Sequence, residues 1–322
     1  MSNAIFFRQI KDSVKAANNI LAICHQRPDA DAVGSLATVA GWFDDLGKTY
    51  TLFCRDAAPA NLEWLANFKA IITEDETFDI NQYDLLLVLD SSDLNYAGVQ
   101  RMVESAIRRP QIINIDHHPT NKRFGDINLV DIRACSTTVI LYELLEYLRV
   151  DLRPWMASAM LAGIIGDTYN FTNPNTDNRS LKVASDLLLV GASLSHVSDA
   201  ILKNKELKTL QVWGKILSQM YYNYEYNIVI ATVTEHELQG SLATEVNEGV
   251  ANFLNNLSGI KAALILQQQP DGTVKGSLRT NDDLIDVSKL ATMLGGGGHV
   301  KAAGFKIKGN LRQTGENAWL IE

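Results

Sequence analysis

The sequence is poor in cysteine and has no long apolar run, and each absence excludes a class of protein. The three cysteines, Cys24, Cys54 and Cys135, are odd in number and widely spaced, so they predict neither a disulfide framework nor a zinc knuckle. No apolar run approaches the ~20 residues that a membrane-spanning helix needs, and no basic stretch followed by an apolar one opens the chain. We therefore expect a cytoplasmic protein without a membrane segment.

Net positive charge is also absent. The 322 residues carry a formal net charge of −8 at pH 7. Adhesion to a long nucleic acid needs a positive surface that neutralises phosphates, so the composition argues against it. Short anionic substrates fit better, because bound cations can supply positive charge locally. With 46% hydrophobic residues and no repeat, the chain is globular and long enough for two domains of roughly 100–200 residues each.

Short apolar runs alternate with longer amphipathic ones in the first half, which is typical of βαβ units and a doubly wound, mostly parallel sheet. The candidate strands lie at 20–24, 50–54, 85–90 and 111–116. The candidate helices lie at 34–46, 136–148, 154–165 and 180–190. Ligands of such a sheet bind beyond the carboxyl ends of its strands. His25, Asp90 and Asp116 each fall at such an end.

The pattern changes after Gly191. A polar helical stretch near 203–220 is followed by a mixture of shorter strands and helices. Strands are predicted at 228–234, 261–267, 273–278 and 305–308, and helices near 245–257 and 287–294. We therefore predict an α/β metal-binding domain at 1–190, a connecting helix or linker at 191–221, and a smaller α/β domain at 222–322.

A histidine and several acidic residues lie at the ends of the first and third predicted strands. His25, Asp29 and Asp31 fall within seven residues between a strand and a helix, so one loop can turn all three toward one point. Helix capping explains the two aspartates equally well. Asp90 closes the apolar run 85–89, and a buried carboxylate needs a partner because its burial alone is costly. We expect that partner to be a metal ion, with a helix cap or a turn hydrogen bond as the alternative.

Two adjacent histidines, His117 and His118, follow Asp116 at the end of the last candidate strand. Adjacent side chains on an extended segment point to opposite faces, so one can bind a metal ion while the other meets the substrate. Asp116 is suited to orient an imidazole by a hydrogen bond. Asp167, near the end of an apolar helix, faces the negative end of the helix dipole and needs a compensating charge. For His117 and His118 taken alone, a pair of imidazoles with satisfied hydrogen bonds is the alternative.

The joint pattern is more specific than its parts. Carboxylate oxygens mixed with imidazoles suit manganese or magnesium better than a thiolate-preferring metal, and their number permits two ions. The sequence thus predicts a divalent-metal site for phosphate chemistry.

Five motifs, in this order, resemble those of the DHH phosphoesterase family and cover nearly the whole chain. They are HQRPDADAVGS at 25–35, Asp90, Asp116-His117-His118, Gly166-Asp167-Thr168, and GGGGHVKAAGF at 295–305, the last similar to the DHH-associated C-terminal domain. The resemblance implies a catalytic domain followed by a substrate-binding domain, with the active site in the cleft between them.

The resemblance also implies a set of metal ligands. Two divalent ions are expected, manganese in the first place and magnesium or cobalt otherwise, with a hydroxide activated by both as the nucleophile. The ligands carried over are His25, Asp29 and Asp90 for one ion, and Asp31, Asp90, His117 and Asp167 for the other. Asp90 would therefore bridge the two ions.

The remaining site residues follow from the same resemblance. His118, supported by Asp116, is expected to act in catalysis by facing the phosphate or protonating the leaving oxygen, which suits an imidazole. Arg279 is expected to clamp a substrate phosphate with its forked guanidinium. Gly297, Gly298 and His299 are expected to let the backbone approach a terminal phosphate closely.

Within the family, the two-domain plan is similar to that of nanoRNase-type oligoribonucleases, exonucleases of short RNA. They also act as 3′(2′),5′-bisphosphate nucleotidases that dephosphorylate 3′-phosphoadenosine 5′-phosphate (pAp). The expected partners are therefore short oligoribonucleotides and nucleotide bisphosphates, with a homodimer as a further expectation. The alternatives are a cyclic or linear dinucleotide phosphodiesterase acting on cyclic di-AMP or pApA, an exopolyphosphatase, and a non-catalytic nucleotide-binding sensor. The complete ligand set favours an enzyme over a sensor.

Overall fold

The computed structural model describes residues 3–73, 79–203, 207–234, 249–251, 253–254, 257–315 and 318–322. The chain divides into two compact units, Met1–Asn204 and Lys205–Glu322. Both are α/β, as the sequence predicts.

A six-stranded parallel sheet forms the centre of the first unit. Its strands are β1 (Asn19–Ile23), β2 (Thr49–Phe53), β3 (Ile71–Ile72), β4 (Leu85–Leu89), β5 (Gln111–Asp116) and β6 (Ile127–Val130). They are ordered β3-β2-β1-β4-β5-β6, and every pair is parallel. The predicted doubly wound parallel sheet is confirmed. The chain order reverses between β1 and β4, and a crevice opens at the carboxyl ends of strands at such a point.

Helices cover both faces of this sheet, which explains the continuous apolar run of β4. Every residue of β4 is buried, with Leu85, Leu87 and Leu89 in one hydrophobic cluster and Leu86 and Val88 in another. A strand with alternate residues in two cores has no polar face. The helices are α1 (Ala4–Ala16), α2 (Ala30–Asp45), α3 (Gln100–Ser105), α4 (Thr137–Leu148), α5 (Pro154–Thr168), α6 (Asn178–Val190) and α7 (Leu194–Leu202).

Helices α2 and α5 approach each other closely at Gly34. A Cβ atom on Gly34 would lie 2.4 Å from the carbonyl oxygen of Ala159 in α5. Glycine is therefore required at this crossing. The close approach places the first turn of α2 beside the last turn of α5. Both turns carry predicted site residues.

No single helix within the described ranges combines the length and hydropathy of a membrane span. Helices α6 and α7 reach those limits only when joined across a bend of 118°.

The second unit is built on a mixed sheet. Its helices are α8 (Leu207–Ser218) and α9 (Val287–Met293), and its strands are β7 (Tyr221–Asn223), β8 (Ile228–Val233), β9 (Ala262–Gln268), β10 (Thr273–Arg279), β11 (Gly297–His299) and β12 (Ala302–Lys308). The order is β11-β12-β10-β9-β8-β7, with β8 and β9 parallel and the other pairs antiparallel. A hairpin of β13 (Leu311–Gly315) and β14 (Ala318–Ile321) completes the unit.

The segment 191–221, predicted as a connecting helix or linker, contains two helices that belong to different units. Helix α7 packs against α5 of the first unit, and α8 packs against β8 of the second. Each of the two amphipathic helices buries its apolar face against its own unit. A single connecting helix would not do this. The helix predicted at 245–257 lies only partly within the described residues, of which 249–251 and 253–254 are helical.

Candidate metal centre

Three neighbouring strands place three of the six predicted ligands at one edge of the parallel sheet, and two helices supply the others. His25 lies just beyond the end of β1, Asp90 directly follows β4, and His117 directly follows β5. Because β1, β4 and β5 are adjacent and parallel, their carboxyl ends lie side by side. Asp29 and Asp31 arrive from the start of α2, and Asp167 from the last turn of α5.

His25, Asp29 and Asp90 form the first group of potential ligands, with one donor atom from each lying within 4.8 Å of the others. The Nε2 atom of His25 is 3.9 Å from Oδ2 of Asp29 and 3.4 Å from Oδ2 of Asp90. Oδ1 of Asp29 accepts the backbone N–H groups of Asp31 and Ala32 at 2.9 and 3.1 Å. Asp29 therefore caps α2 with one oxygen and presents the other to His25.

Asp31, His117 and Asp167 form the second group on the same criterion, and Asp90, His117 and His118 form a third. The Nε2 atom of His117 lies 3.2 Å from Oδ2 of Asp167 and 3.6 Å from Oδ1 of Asp90. Asp90 thus turns Oδ2 toward the first group and Oδ1 toward the second. This is the arrangement that a carboxylate shared by two cations requires. The backbone of Asp90 has a φ of +54°, an uncommon value for a residue other than glycine, of the kind that concentrates at functional sites.

The start of α4 holds Asp31 in place. Backbone N–H groups of Thr137 and Thr138 donate to its two carboxylate oxygens at 2.6 and 3.0 Å. The first N–H groups of a helix have no partner within the helix and favour a negative charge. Asp31 itself is fully buried. Its position is therefore fixed by two backbone donors of a different helix.

Hydrogen bonds and stacking fix the two imidazoles. His25 donates from Nδ1 to the carbonyl oxygen of Gln26 at 2.8 Å, and its ring stacks on Tyr96 at 5.0 Å with an interplanar angle of 12°. His117 donates from Nδ1 to the carbonyl oxygen of Ala134 at 3.3 Å. In both residues Nε2 remains available on the carboxylate side. This is the usual way in which a metal-binding histidine is oriented.

His118 has a different environment. Its Nδ1 donates to Oδ1 of Asp116 at 2.7 Å, and Oδ2 of Asp116 accepts from the side-chain amide of Asn121 at 2.6 Å. Burial lowers the pKa of His118, but the hydrogen bond to Asp116 and the negative charges of Asp90 and Asp116 together outweigh burial and raise the pKa to about 9. The side chain is 29% exposed, so it can be reached by a bound molecule. Asp116 thus orients His118, and His118 can carry a proton.

The buried carboxylates of the cluster repel one another unless a cation offsets their charge. Burial, followed by the charges of neighbouring carboxylates, raises the pKa of both Asp31 and Asp167 well above the ordinary value. Burial also raises the pKa of Asp90, but the hydrogen bond to His25 and the charges of His25, His117 and His118 together outweigh burial, so the net pKa is lowered. Several buried carboxylates at one point need compensating positive charge. Oxygen and imidazole donors in two groups, each faced by one oxygen of Asp90, fit two divalent cations.

The substrate-binding residues predicted from the sequence lie in the second unit. Arg279 ends β10 and is paired with Ala302 of β12, which is paired in turn with His299 of β11. Arg279 and His299 therefore occupy one cross-strand row, although the side chain of His299 lies outside the described part of the structure. Gly297 and Gly298 are exposed on the edge strand β11. Gly298 has a φ of +141°, and a Cβ there would lie 2.6 Å from the carbonyl oxygen of Ala302.

Three residues around the cluster were not predicted from the sequence: Tyr96, Asn121 and Thr137. Tyr96 and Asn121 lie in loops, and their contacts with His25 and Asp116 join segments that no periodic pattern relates. Thr137 had a usable signal. Consecutive residues with capping side chains, Ser136-Thr137-Thr138, open a predicted helix, and such a helix start can bind a carboxylate.

Substitution of Gly163 by alanine will weaken both folding and metal binding. A Cβ at Gly163 would lie 2.4 Å from Oδ1 of Asp31 and 2.4 Å from Oγ1 of Thr138, both buried. Overpacking of this kind costs about 1–3 kcal/mol of unfolding free energy. Thermal unfolding and manganese titration should both report the loss. Gly214→Ala is the matched control, because a Cβ there meets no atom within 4 Å. Unchanged manganese affinity in Gly163→Ala would contradict the placement of Asp31.

Two family models match the chain, one within each unit. The model of the DHH family, N-terminal domain, matches residues 19–164, and that of the DHHA1 domain matches residues 225–317. The bifunctional oligoribonuclease and PAP phosphatase NrnA of Thermus thermophilus is 29% identical, covering 94% of this chain and 88% of that protein. The protein of the same name from Bacillus subtilis is 28% identical, covering 92% and 91%.

A solved structure shares the fold. The crystal structure of an exopolyphosphatase-related protein from Bacteroides fragilis matches with a TM-score of 0.87 and 23% sequence identity. The match covers 95% of this chain and 92% of that one. Both α/β units therefore have a counterpart of known structure.

Proposed function

The chain belongs to the DHH family of phosphoesterases and carries a DHHA1 domain, and from this premise we propose that it is a manganese-dependent oligoribonuclease. Its substrates would be short oligoribonucleotides, hydrolysed to mononucleotides, and pAp, from which it would remove the 3′-phosphate. The names of the relatives from Thermus thermophilus and Bacillus subtilis support this choice of substrates.

The observation that supports the proposal most directly is that the two carboxylate oxygens of Asp90 face different groups of potential ligands. Its two oxygens face His25 and His117 separately, at 3.4 and 3.6 Å. Bound divalent ions would supply a water of lowered pKa and would offset the charge of the phosphate oxygens. His25, Asp29 and Asp90 would hold one ion, and Asp31, Asp90, His117 and Asp167 the other.

The protein's own groups would complete the reaction. Asp116 holds the Nδ1–H of His118, so Nε2 of His118 is the atom that can donate a proton to the oxygen leaving phosphorus. Asn121 fixes Asp116 from the other side, so that the carboxylate does not turn away. In the second unit, Arg279 would bind a substrate phosphate with two parallel N–H groups.

Arg279→Ala will raise KM by about tenfold or more and change kcat much less, because hydrogen bonds to a charged group are worth about 1.5–3 kcal/mol. Arg279→Lys will recover only part of the affinity, since an ammonium lacks the forked geometry. Steady-state kinetics on a diribonucleotide measures both constants. Arg312→Ala serves as the control, because Arg312 pairs with Glu322 on the separate hairpin. A lower kcat at unchanged KM in Arg279→Ala would contradict the role in binding.

A substrate panel tests the proposed function as a whole. Purified protein is incubated with manganese and, separately, pApA, pAp, pyrophosphate, polyphosphate and cyclic di-AMP, and the products are separated by ion-exchange chromatography. We expect pApA to give mononucleotides and pAp to give AMP and phosphate. Turnover of pyrophosphate or polyphosphate alone would overturn the proposal. Turnover of cyclic di-AMP in preference to pApA would favour the phosphodiesterase alternative.

A further inference from the structure

Thr137 is the residue that joins two of the proposed metal ligands directly. It is the first residue of α4 and is fully buried. Its backbone N–H donates to Oδ2 of Asp31 at 2.6 Å, and its hydroxyl donates to Oδ1 of Asp90 at 2.9 Å. Asp31 comes from α2 and Asp90 from the end of β4. A single residue thus connects carboxylates from two elements that are distant in sequence.

The backbone and side-chain contacts of Thr137 have separate origins. Ser136 caps α4 through its hydroxyl, which accepts the N–H of Val139 at 3.3 Å. The backbone N–H groups of Thr137 and Thr138 then donate to Asp31. Because these donors belong to the backbone, the two bonds do not depend on the side chain at position 137. The bond to Asp90 depends on the hydroxyl. A substitution at Thr137 can therefore remove one contact and leave the other.

Asp90 needs this hydroxyl because its two carboxylate oxygens must point to different groups of ligands. The backbone N–H of Asp90 donates to the carbonyl oxygen of Ile115 at 2.9 Å, which fixes the main chain but not the side chain. Oδ1, the oxygen that receives the hydroxyl, is the one that faces His117 at 3.6 Å. The bond thus holds the plane of the carboxylate while Oδ2 faces His25. In a buried site such a bond is stronger than in water.

We propose that Thr137 is a positioning residue whose hydroxyl sets the affinity of the metal centre by locking the orientation of Asp90. This inference rests on the metal site of the proposed function and adds to it a residue outside the ligand set. Partners that hydrogen-bond metal ligands typically change metal affinity by roughly 10- to 100-fold when removed. We expect a loss of this size when the hydroxyl is removed.

The test compares Thr137→Val with Thr137→Ser. Valine keeps the shape and the backbone N–H but removes the hydroxyl, whereas serine keeps the hydroxyl. Metal-free protein is titrated with manganese, and free ion is measured by its electron paramagnetic resonance signal. Thr137→Val should bind manganese roughly 10- to 100-fold more weakly than the wild type, and Thr137→Ser should lie close to it. Thr137→Ala, which also lacks the hydroxyl, supplies the same comparison if the valine variant does not fold.

Thr38→Val is the matched control. Thr38 is also fully buried, and its hydroxyl donates to the carbonyl oxygen of Gly34 within α2 at 2.7 Å. Removal of this hydroxyl should leave manganese affinity unchanged. Thermal unfolding in the presence of a chelator measures the stability of every variant without metal, and Thr137→Val and Thr38→Val should be affected to a similar extent.

Two results would overturn the inference. One is wild-type manganese affinity in both hydroxyl-free variants of Thr137, and the other is an equal loss in Thr137→Ser and Thr137→Val. If wild-type protein binds no manganese, the metal site of the proposed function fails as well. If it binds manganese but hydrolyses no oligoribonucleotide, only the substrate assignment fails, and the comparison of the Thr137 variants still decides the inference.

Discussion

Asp90→Asn will lower kcat/KM for a diribonucleotide by about 10³-fold or more and will weaken manganese binding at both proposed positions. In the proposed site the Asp90 carboxylate would supply one oxygen to each ion, so loss of its charge would affect both. Metal ions stabilise such reactions by several kcal/mol, and each 1.36 kcal/mol is about a factor of ten in rate. Asparagine is the appropriate replacement because it tolerates the φ of +54° at this position and retains an oxygen for Thr137.

Asp84→Asn is the matched control for this experiment. Asp84 lies at the opposite end of the same strand, β4, where its carboxylate accepts the backbone N–H groups of Asn18 and Asn19. Loss of its charge should change neither manganese binding nor kcat. If Asp90→Asn binds two manganese ions with wild-type affinity and retains turnover within tenfold, Asp90 does not bridge a metal centre.

His118→Gln will lower kcat by about 10²- to 10⁴-fold while leaving manganese binding intact. That range is typical for the loss of a general acid or base. Asp90, His117 and His118 also lie close enough to form a group of potential ligands, but Nδ1 of His118 is engaged by Oδ1 of Asp116 at 2.7 Å and lies 3.6 Å from Oδ1 of Asp90. We therefore expect His118 to act on the substrate rather than to hold an ion. His196→Gln is the control, because His196 is exposed on α7 and packs against the ring of Trp64.

A substrate with a good leaving group tests the chemical role of His118. p-Nitrophenolate departs without a proton, so the 5′-p-nitrophenyl ester of a nucleotide does not need a general acid. We expect the loss in His118→Gln to shrink to less than tenfold with this ester. An equal loss with the ester and with the diribonucleotide would show that His118 binds the phosphate or a metal ion instead of donating a proton.

Much of the first unit was predictable because its central strands, β1, β4 and β5, are buried on both faces. β5 was predicted at 111–116 and is observed as Gln111–Asp116, and β4 was recognised from its uninterrupted apolar run. β6 is only Ile127–Val130 at the edge of the sheet and was missed, since a short edge strand has no such run. The helix predicted to end at 165 continues to Thr168. It ends there because the next residue, Tyr169, adopts the left-handed conformation.

The site residues were predictable for a topological reason. Polar residues that follow apolar strands lie close together if those strands are parallel neighbours, so the sequence pattern placed His25, Asp90 and Asp116 at one edge of the sheet. The choice of His117 as a metal ligand came from the family resemblance. The division of Asp29 between capping α2 and facing His25 was not predictable, because both uses are compatible with one sequence pattern. The contact of Thr137 with Asp90 was also beyond the sequence, because it depends on how α4 meets β4.

The most direct test of the central claim is a titration of metal-free protein with manganese during continuous measurement of pApA hydrolysis. We predict no hydrolysis before manganese is added, a rise in rate as the ion binds, and a plateau at two ions per chain. Hydrolysis at full rate in the metal-free protein would contradict the account. So would two bound manganese ions without any hydrolysis of pApA.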